Sequence, residues 1–545
     1  MAWFRYAMIA LALLIALVPA LRKGFLLVGR ILWYAFFIKA EALVVRGARA
    51  LGPSAPARWL RRRLMLPFPR DQQEVWEEPD LFFALLRDRA RGTGIPRGAR
   101  LVRLEALRAL TEEPDKNATA CGVRVVYALP EGGPGGGVTL SGAGRERSLP
   151  VFMKFQTGRG LPLGIQAIRA AMEPGINREV DFYNRLATPS RSGGAHLPQR
   201  VPRAMFAACH HRYNRVCIVL EHMFQTDAPD IAGRAYTLAD HGGCPEPECE
   251  AMMRTAARMH AKYWRRAQDA TPSRWIPARK GLEFASFVPG FIADKNKEPD
   301  WFRDLWQALD AYVTRKDRPL TLVHGDCRPG NMLFLKPNGD GGEGGEGGDE
   351  GDGDVGSFGL PGVVMMDWEA VNVGPFLWDL TYMSVLGQPL AQRRDNQMRL
   401  LDAYHASLRA ALARACDGDG LAAYTTEEEY ERDTAPDACR ADLAVLTVVL
   451  YYVAWVVRTR KLWDGQGNTA DDLWAWEERV CGAVGDLDAG ALAAALECDE
   501  ALVARVQKRA AEEGLGDRAD GVTWREEKAQ RDAAAAAEAA AKKDK

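Results

Sequence analysis

Several absences narrow the field. The chain of 545 residues has no excess of either charge: 71 basic against 72 acidic side chains give a formal net charge of -1. That balance excludes a protein built to bind nucleic acid along its length. The ten cysteines include no C-x-x-C pair and no histidines at finger spacing, which excludes a zinc ribbon and a dithiol redox centre and reads as reduced thiols of an intracellular protein. No internal repeat is present, so a solenoid is excluded. The acidic, glycine-rich stretch within 338–359 lacks the alternating D-x-D-x-D-G pattern with a closing glutamate, so it is not a calcium loop. It also has almost no apolar residue to bury, and is expected to be a disordered insert.

What is present begins with an apolar N-terminus. Residues 2–21 are apolar except for Arg5 and Tyr6, close to the length a membrane helix needs, and Arg22 and Lys23 close the run. A second apolar run, 25–38, is followed by Lys39, Arg46, Arg49, Arg58 and the Arg61–Arg63 cluster. Positive charge after the apolar segment fits an uncleaved anchor with the downstream chain in the cytosol. A transit peptide, or a packed pair of helices in a soluble protein, are the alternatives.

The organisation expected along the chain is a hydrophobic segment (1–40), a connector (41–95), a β-rich unit (96–223), a mainly helical unit (224–495) carrying the insert, and a charged C-terminal helix or tail (496–545). Strands are expected over 99–108, 121–129, 149–155 and 216–223, separated by turns that suit antiparallel pairing. Helices are expected over 177–186, 250–266 and 301–313 on their 3.6-residue apolar spacing, and also over 80–89, 377–386, 389–415, 441–461 and 469–482.

The densest chemistry lies in LTLVHGDCRPGN, residues 320–331, and its echo VVMMD, residues 363–367. Each half is a short apolar run, readable as a buried strand, that ends on a carboxylate: Asp326 and Asp367. Asn331 follows Asp326 at the D-x-x-x-x-N spacing. One carboxylate to orient a hydroxyl, plus a carboxylate and an amide to hold magnesium, is the equipment of phosphoryl transfer from ATP. Read singly, each junction is equally a turn built on Asp and Asn. Upstream, Lys154 sits inside a strand and Glu179 on the following helix, an arrangement that can clamp nucleotide phosphates; the commoner alternatives are a solvent-facing lysine and an exposed first-turn glutamate. The run 216–223 ends at Glu221 and Met223, where backbone groups could meet an adenine. His260 lies on the apolar face of its helix and reads as a hydrogen-bonded core residue.

LVHGDCRPGNMLF followed by VVMMDWEAVNVGPFLWDLTYM resembles the aminoglycoside phosphotransferase and choline kinase superfamily, most of all its ecdysteroid-kinase-like branch and the kinase-like domain fused to some acyl-CoA dehydrogenases. NREVDFYNRL and RMHAKYW resemble that branch's E-x-x-F-Y and L-H-A-x-x-W helices, so the resemblance covers residues 101–481. It implies an α+β, two-lobed protein-kinase-like fold: an N-lobe of antiparallel sheet plus helix and a mainly helical C-lobe, here with a hydrophobic N-terminal helical extension. It implies ATP and Mg2+ as cofactors and a small-molecule alcohol as acceptor, with no nucleic acid. Asp326 would be the catalytic base and His324 would support its turn. Asn331 and Asp367 would hold magnesium, with Glu369 as a further acid. Lys154 and Glu179 would serve the phosphates, Glu221 and Met223 the nucleotide, and Asp379 would brace the loop through backbone hydrogen bonds. The chain departs from the kinase pattern at 113–120, EPDKNATA, where no glycine-rich loop appears. That departure keeps a membrane-tethered pseudokinase as the alternative function. H-G-D and D-W-E in place of H-R-D and D-F-G, with no A-P-E segment, count against a protein kinase. Trp455, Arg458, Trp463, Trp474 and Trp476 are candidates for the acceptor pocket, or for core.

Overall fold

A computed structural model describes residues 68–69, 72–107, 120–129, 146–156, 175–187, 200–210, 215–225, 231–265, 300–313, 319–337, 360–419, 427–459 and 470–514, with isolated positions at 29–39 and 197. They divide into two compact units, Met1–Gly194 with Pro202–Thr226, and Ala195–Val201 with Asp227–Lys545.

The first unit contains α1 (Gln72–Glu77), α2 (Pro79–Asp88), β1 (Arg100–Leu107), β2 (Ala120–Ala128), β3 (Glu146–Gln156), α3 (Gly175–Arg185), β4 (Ala204–His210) and β5 (Arg215–Glu221). The strands form one sheet in the order β1-β2-β3-β5-β4, antiparallel throughout. Side chains alternate between faces along a strand. One face, carrying Cys121, Val123, Val125, Val151, Met153, Phe155, Cys217 and Val219, packs into one core with Val75, Phe82, Phe83, Leu85 and Leu86 of α1 and α2. Burying an aromatic such as Phe82 stabilises by about 1.5–3 kcal/mol, so these helices are an integral part of the unit. The helix expected over 80–89 is α2, and within the segment read as a connector both α1 and α2 pack apolar side chains into the core of this sheet face. The opposite face carries Lys154, aligned with Ala120 on one side and Ile218 on the other. The helix α3 packs on β4 and β5. Its Glu179, Phe182, Tyr183 and Leu186, at helical spacing, are all buried.

The second unit is mainly helical: α4 (Glu246–Tyr263), α5 (Asp300–Val313), α6 (Leu377–Thr381), α7 (Leu390–Asp419), α8 (Glu427–Thr434), α9 (Pro436–Thr459), α10 (Ala470–Gly485), α11 (Ala489–Leu496) and α12 (Glu500–Gly514). Its strands are short. They are β6 (Ala235–Tyr236), β7 (Leu320–Val323), β8 (Met332–Leu335), β9 (Gly362–Met365) and β10 (Asn372–Pro375), pairing as β10-β7 and β6-β8-β9. The long helices α4 and α7 pack on each other, and α10 packs on α9 and α12. In α12, Val503, Val506 and Ala510 are buried at helical spacing, so within the segment expected as a charged helix or tail these residues form a helix packed into this unit. The α+β class, with an antiparallel sheet plus helix in one unit and a mainly helical second unit, is as the sequence predicts.

Among the described residues no helix is long and apolar enough to cross a membrane. The expected anchor at 1–40, apart from isolated positions, the insert at 338–359 and the tail beyond 514 lie outside the described residues.

Candidate active site

In the second unit, β7 delivers His324, Gly325 and Asp326 at its C-terminal end. The chain turns at Gly325, whose φ is +87°, and a Cβ there would collide with the Ala370 carbonyl oxygen. Only glycine satisfies both conditions. The turn is anchored on Asp379 of α6, which is fully buried. Its Oδ2 accepts from the His324 N–H at 2.8 Å and its Oδ1 from the Gly325 N–H at 2.9 Å. The same carboxylate lies 3.2 Å from His260 Nε2, and His260 Nδ1 is 2.8 Å from the Tyr404 hydroxyl. His260 therefore donates from Nε2 to Asp379 and shares a hydrogen bond between Nδ1 and the Tyr404 hydroxyl, a core histidine as expected, here one step behind the His324–Asp326 turn. Asp379 takes the bracing position that the resemblance implies. His324 is likewise occupied at both nitrogens. Nε2 donates to the Met366 carbonyl at 2.7 Å, and Nδ1 accepts from the Asp326 N–H at 3.3 Å. It positions the turn and has no free nitrogen for proton transfer.

Asp326 is partly exposed, with 21% of its side chain open to solvent. Asn331 Nδ2 donates to its Oδ2 at 2.8 Å and to its backbone carbonyl at 3.0 Å. With both amide hydrogens directed at Asp326, Oδ1 is the atom of Asn331 that remains as a ligand. Arg328 lies on the same carboxylate and extends to Asp240, with which it forms an ion pair. Asp240 also accepts from the Gly330 N–H at 2.7 Å. The Arg328 guanidinium sits 4.9 Å from the ring centroid of Trp476 on α10. From the same helix Arg479 donates to the carbonyls of Asp240 at 2.8 Å and His241 at 3.0 Å. Burial opposes the charge on Arg328, but Asp326, Asp240 and Asp367 outweigh it and hold its pKa above the ordinary value. Burial raises the Asp240 carboxyl, with Arg328 and the Gly330 N–H pulling the other way. The adjacent Cys327 thiol is pushed well above its ordinary pKa by burial and by Asp379 and Asp326, which removes it as a nucleophile.

The strands β8 and β9 bring the second acid to the first. Met332 pairs with Met365, and beyond that pair the Met366 N–H donates to the Asn331 carbonyl at 3.0 Å. Asn331 and Asp367 thus leave the same end of one antiparallel ladder. Asp367 has left-handed backbone angles, φ 59° and ψ 66°, a conformation a non-glycine residue holds at a cost and aspartate tolerates better than most. It is followed by the buried Trp368, whose ring centroid lies 4.6 Å from that of His324, and by the exposed Glu369. A carboxylate and an amide oxygen are the hard ligands that magnesium takes, so the donor set fits that ion.

In the first unit, Lys154 Nζ and Glu179 Oε2 form an ion pair at 2.8 Å, with 22% and 6% of the side chains exposed. The solvent-facing reading of Lys154 and the exposed reading of Glu179 are therefore set aside. Glu221 ends β5, and its carboxylate accepts from the Arg203 N–H at 2.8 Å, a structural use of that side chain. Between Glu221 and the buried Met223, His222 is buried against Phe152 and Phe224.

Of the aromatic and cationic residues considered for an acceptor pocket, Trp476 is buried beneath Arg328; Trp463 and the side chains of Trp455, Arg458 and Trp474 lie outside the described residues. Arg328, Asp240 and Arg479 were not singled out from sequence. The arginine inside HGDCRPGN was a visible signal, but its partners lie 88 residues before and on α10.

Residues 228–344 match the phosphotransferase enzyme family. The match includes Asp240, Asp326, Arg328 and Asn331, and supports the superfamily resemblance drawn from sequence. No curated protein matches the chain. Among solved structures, a microcompartment-associated aminopropanol kinase is similar at 11% identity, over 76% of this chain and 96% of its own, with a TM-score of 0.32. A choline kinase from Streptococcus pneumoniae is similar at 11% identity, over 70% and 94%, with a TM-score of 0.32. A Plasmodium vivax ethanolamine kinase is similar at 9% identity, over 79% and 94%, with a TM-score of 0.37. At these TM-scores the fold rests on the chain's own topology.

Proposed function

We propose that the chain is an ATP-dependent phosphotransferase that moves the γ-phosphoryl group to a hydroxyl of a small molecule. The observation that carries this reading is that Asn331, whose amide donates to the Asp326 carboxylate, leaves the same end of the β8–β9 ladder as Asp367. Asp326 accepts a hydrogen bond from the acceptor hydroxyl and aligns it for in-line attack, then takes its proton as the new oxygen–phosphorus bond forms and the γ-phosphorus bond to the bridging oxygen breaks, with ADP leaving. Asn331 fixes the carboxylate's rotamer, and His324 and Asp379 fix the backbone beneath it. Lys154, locked by Glu179, binds nucleotide phosphate. Asn331 Oδ1 and Asp367 would hold magnesium, with Glu369 as an outer acid, and the ion would neutralise charge on the phosphate oxygens.

In this reading Asp326→Asn lowers ATP-dependent turnover by at least about 100-fold while nucleotide binding persists. Turnover is read as a mass gain of one phosphate in a metabolite extract incubated with protein and ATP. Normal turnover by Asp326→Asn sinks the assignment. The alternative of a nucleotide-binding protein with little turnover draws support from Arg328, which lies on the carboxylate meant to receive the proton. Nucleotide-dependent stabilisation without ATP consumption across the extract would favour it.

The D-W-E and G-P signatures support the ecdysteroid-kinase-like branch. The apolar N-terminus followed by Arg22 and Lys23 supports membrane attachment with the catalytic units in the cytosol. Fractionation of the full chain beside one lacking residues 1–40 tests that placement; equal recovery of both in the soluble fraction refutes it.

A further inference from the structure

We infer that Arg178 is a phosphate-binding residue and that the first turn of α3 forms part of the nucleotide phosphate site. The inference deepens the nucleotide-binding reading and rests on it.

Arg178 is 3% exposed, and its Nε and Nη1 are buried with no hydrogen-bond partner among the described residues. The two nearest carboxylates in sequence are committed elsewhere. Glu179 pairs with Lys154 at 2.8 Å, and Asp181 accepts from Arg185 at 3.3 Å. A guanidinium cannot escape burial by losing its proton, because its pKa lies far above neutrality. Buried charge without a partner is strongly unfavourable, so such a group persists where an anion completes it.

The place of Arg178 on α3 indicates which anion. Side chains on a helix lean toward its N-terminus, so Arg178, the fourth residue of Gly175–Arg185, runs back over the first turn. The first-turn N–H groups have no acceptor within the helix, and the helix dipole adds positive potential there. A buried guanidinium together with a helix N-terminus suits a phosphate. The adjacent residue, Glu179, holds the lysine assigned to nucleotide phosphates. A nucleoside triphosphate offers several phosphates within reach of neighbouring cations, and the arginine fork can take two oxygens of one. Glu179 then fixes the lysine while Arg178 contributes the bidentate contact. Supply of phosphate contacts from a helix would also lessen the need for a glycine-rich loop, whose pattern is missing from residues 113–120.

The test uses the full chain, with thermal shift and calorimetric titration against Mg-ATP, Mg-tripolyphosphate and adenosine. Arg178→Met should weaken ATP and tripolyphosphate binding at least tenfold and leave adenosine affinity within twofold. It should also raise the melting temperature of the ligand-free protein, since it removes an uncompensated buried charge; an arginine with a purely structural role would give a fall. Unchanged tripolyphosphate affinity in Arg178→Met overturns the inference whatever its melting temperature. If that variant does not fold, Arg178→Lys keeps the charge but loses the fork, and should bind tripolyphosphate severalfold more weakly; equal affinity again overturns the inference. ATP binding that is lost in Lys154→Met but kept in Arg178→Met defeats this inference alone. Failure of the wild type to bind ATP defeats the nucleotide reading beneath it.

Discussion

Arg328 lies across Asp326, with its Nε 3.3 Å from one carboxylate oxygen and 3.4 Å from the other, and continues to a second carboxylate on Asp240. The candidate base is therefore not an isolated acid. It shares a cation with the turn Asp240–Gly242, which Arg479 fixes from α10.

Removing one partner of such a buried pair should cost more than removing both. Arg328→Met leaves Asp240 buried beside other acids and should destabilise by about 3–5 kcal/mol in urea denaturation. Adding Asp240→Asn should recover a large part of that loss. Additive single and double effects would show that the pair is not coupled.

Gly325 has no tolerated replacement. Gly325→Ala must place a Cβ against the Ala370 carbonyl at a positive φ. A loss of about 2 kcal/mol or more is expected, since local strain and a backbone collision combine. Activity should fall with it, because the displaced residue is next to Asp326. A variant with wild-type stability would contradict the close approach.

Asp379→Ala removes the acceptor of two backbone N–H groups and of His260. Hydrogen bonds to a charged group contribute about 1.5–3 kcal/mol each, so this single truncation should exceed about 3 kcal/mol. Asp379→Asn keeps one acceptor oxygen and should be milder. Amide exchange at His324 and Gly325 should quicken in both, and unchanged protection there would count against the bracing role.

His222 carries a pH dependence. Burial lowers its pKa from the ordinary 6.5, with Arg124 acting in the same direction and a backbone hydrogen bond opposing. The unfolded chain therefore takes up this proton at a higher pH than the folded one. Stability is full above about pH 6.5 and falls on acidification until the lower folded value is passed, by at most about 1.4 kcal/mol per pH unit. His222→Gln should flatten that part of the curve, and an unaltered acid limb would exclude His222 as its source.

Much of the site was legible because its pieces are local. The run 320–331 holds a strand, a glycine turn, an acid and an amide within twelve positions, and side-chain type nearly dictates their use. Lys154 and Glu179 could be paired because a strand lysine followed by a helix glutamate is a recognisable order. Asp379 was readable only through resemblance, since nothing local shows that an acid on α6 will meet the N–H groups of His324 and Gly325. Asp240 and Arg479 were not readable at all. Arg479 meets the carbonyls of Asp240 and His241 only because of how α10 packs, and Asp240, whose carboxylate meets Arg328 and Gly330, sits in a turn where aspartate is common. The helix at 72–77 escapes the sequence for a similar reason: with six residues it shows too little apolar spacing, and its place in the core is evident only once the sheet is known. The strand Ala204–His210 was missed because AMFAACH is rich in alanine, a helix former, and only pairing with β5 makes it extended.

The ladder of β8 and β9 is polarised. Met332 and Met365 close the end next to Asn331 and Asp367, while Leu335 and Gly362, the last pair, lie about 10 Å along the strands at the other end. Shortening, cutting or exchanging the polypeptide that joins those last two residues is therefore expected to leave the register next to Asn331 and Asp367 unaltered. That position is the natural port for engineering: a fluorescent protein inserted there would report on the enzyme while leaving the Asn331 and Asp367 end of the strands untouched.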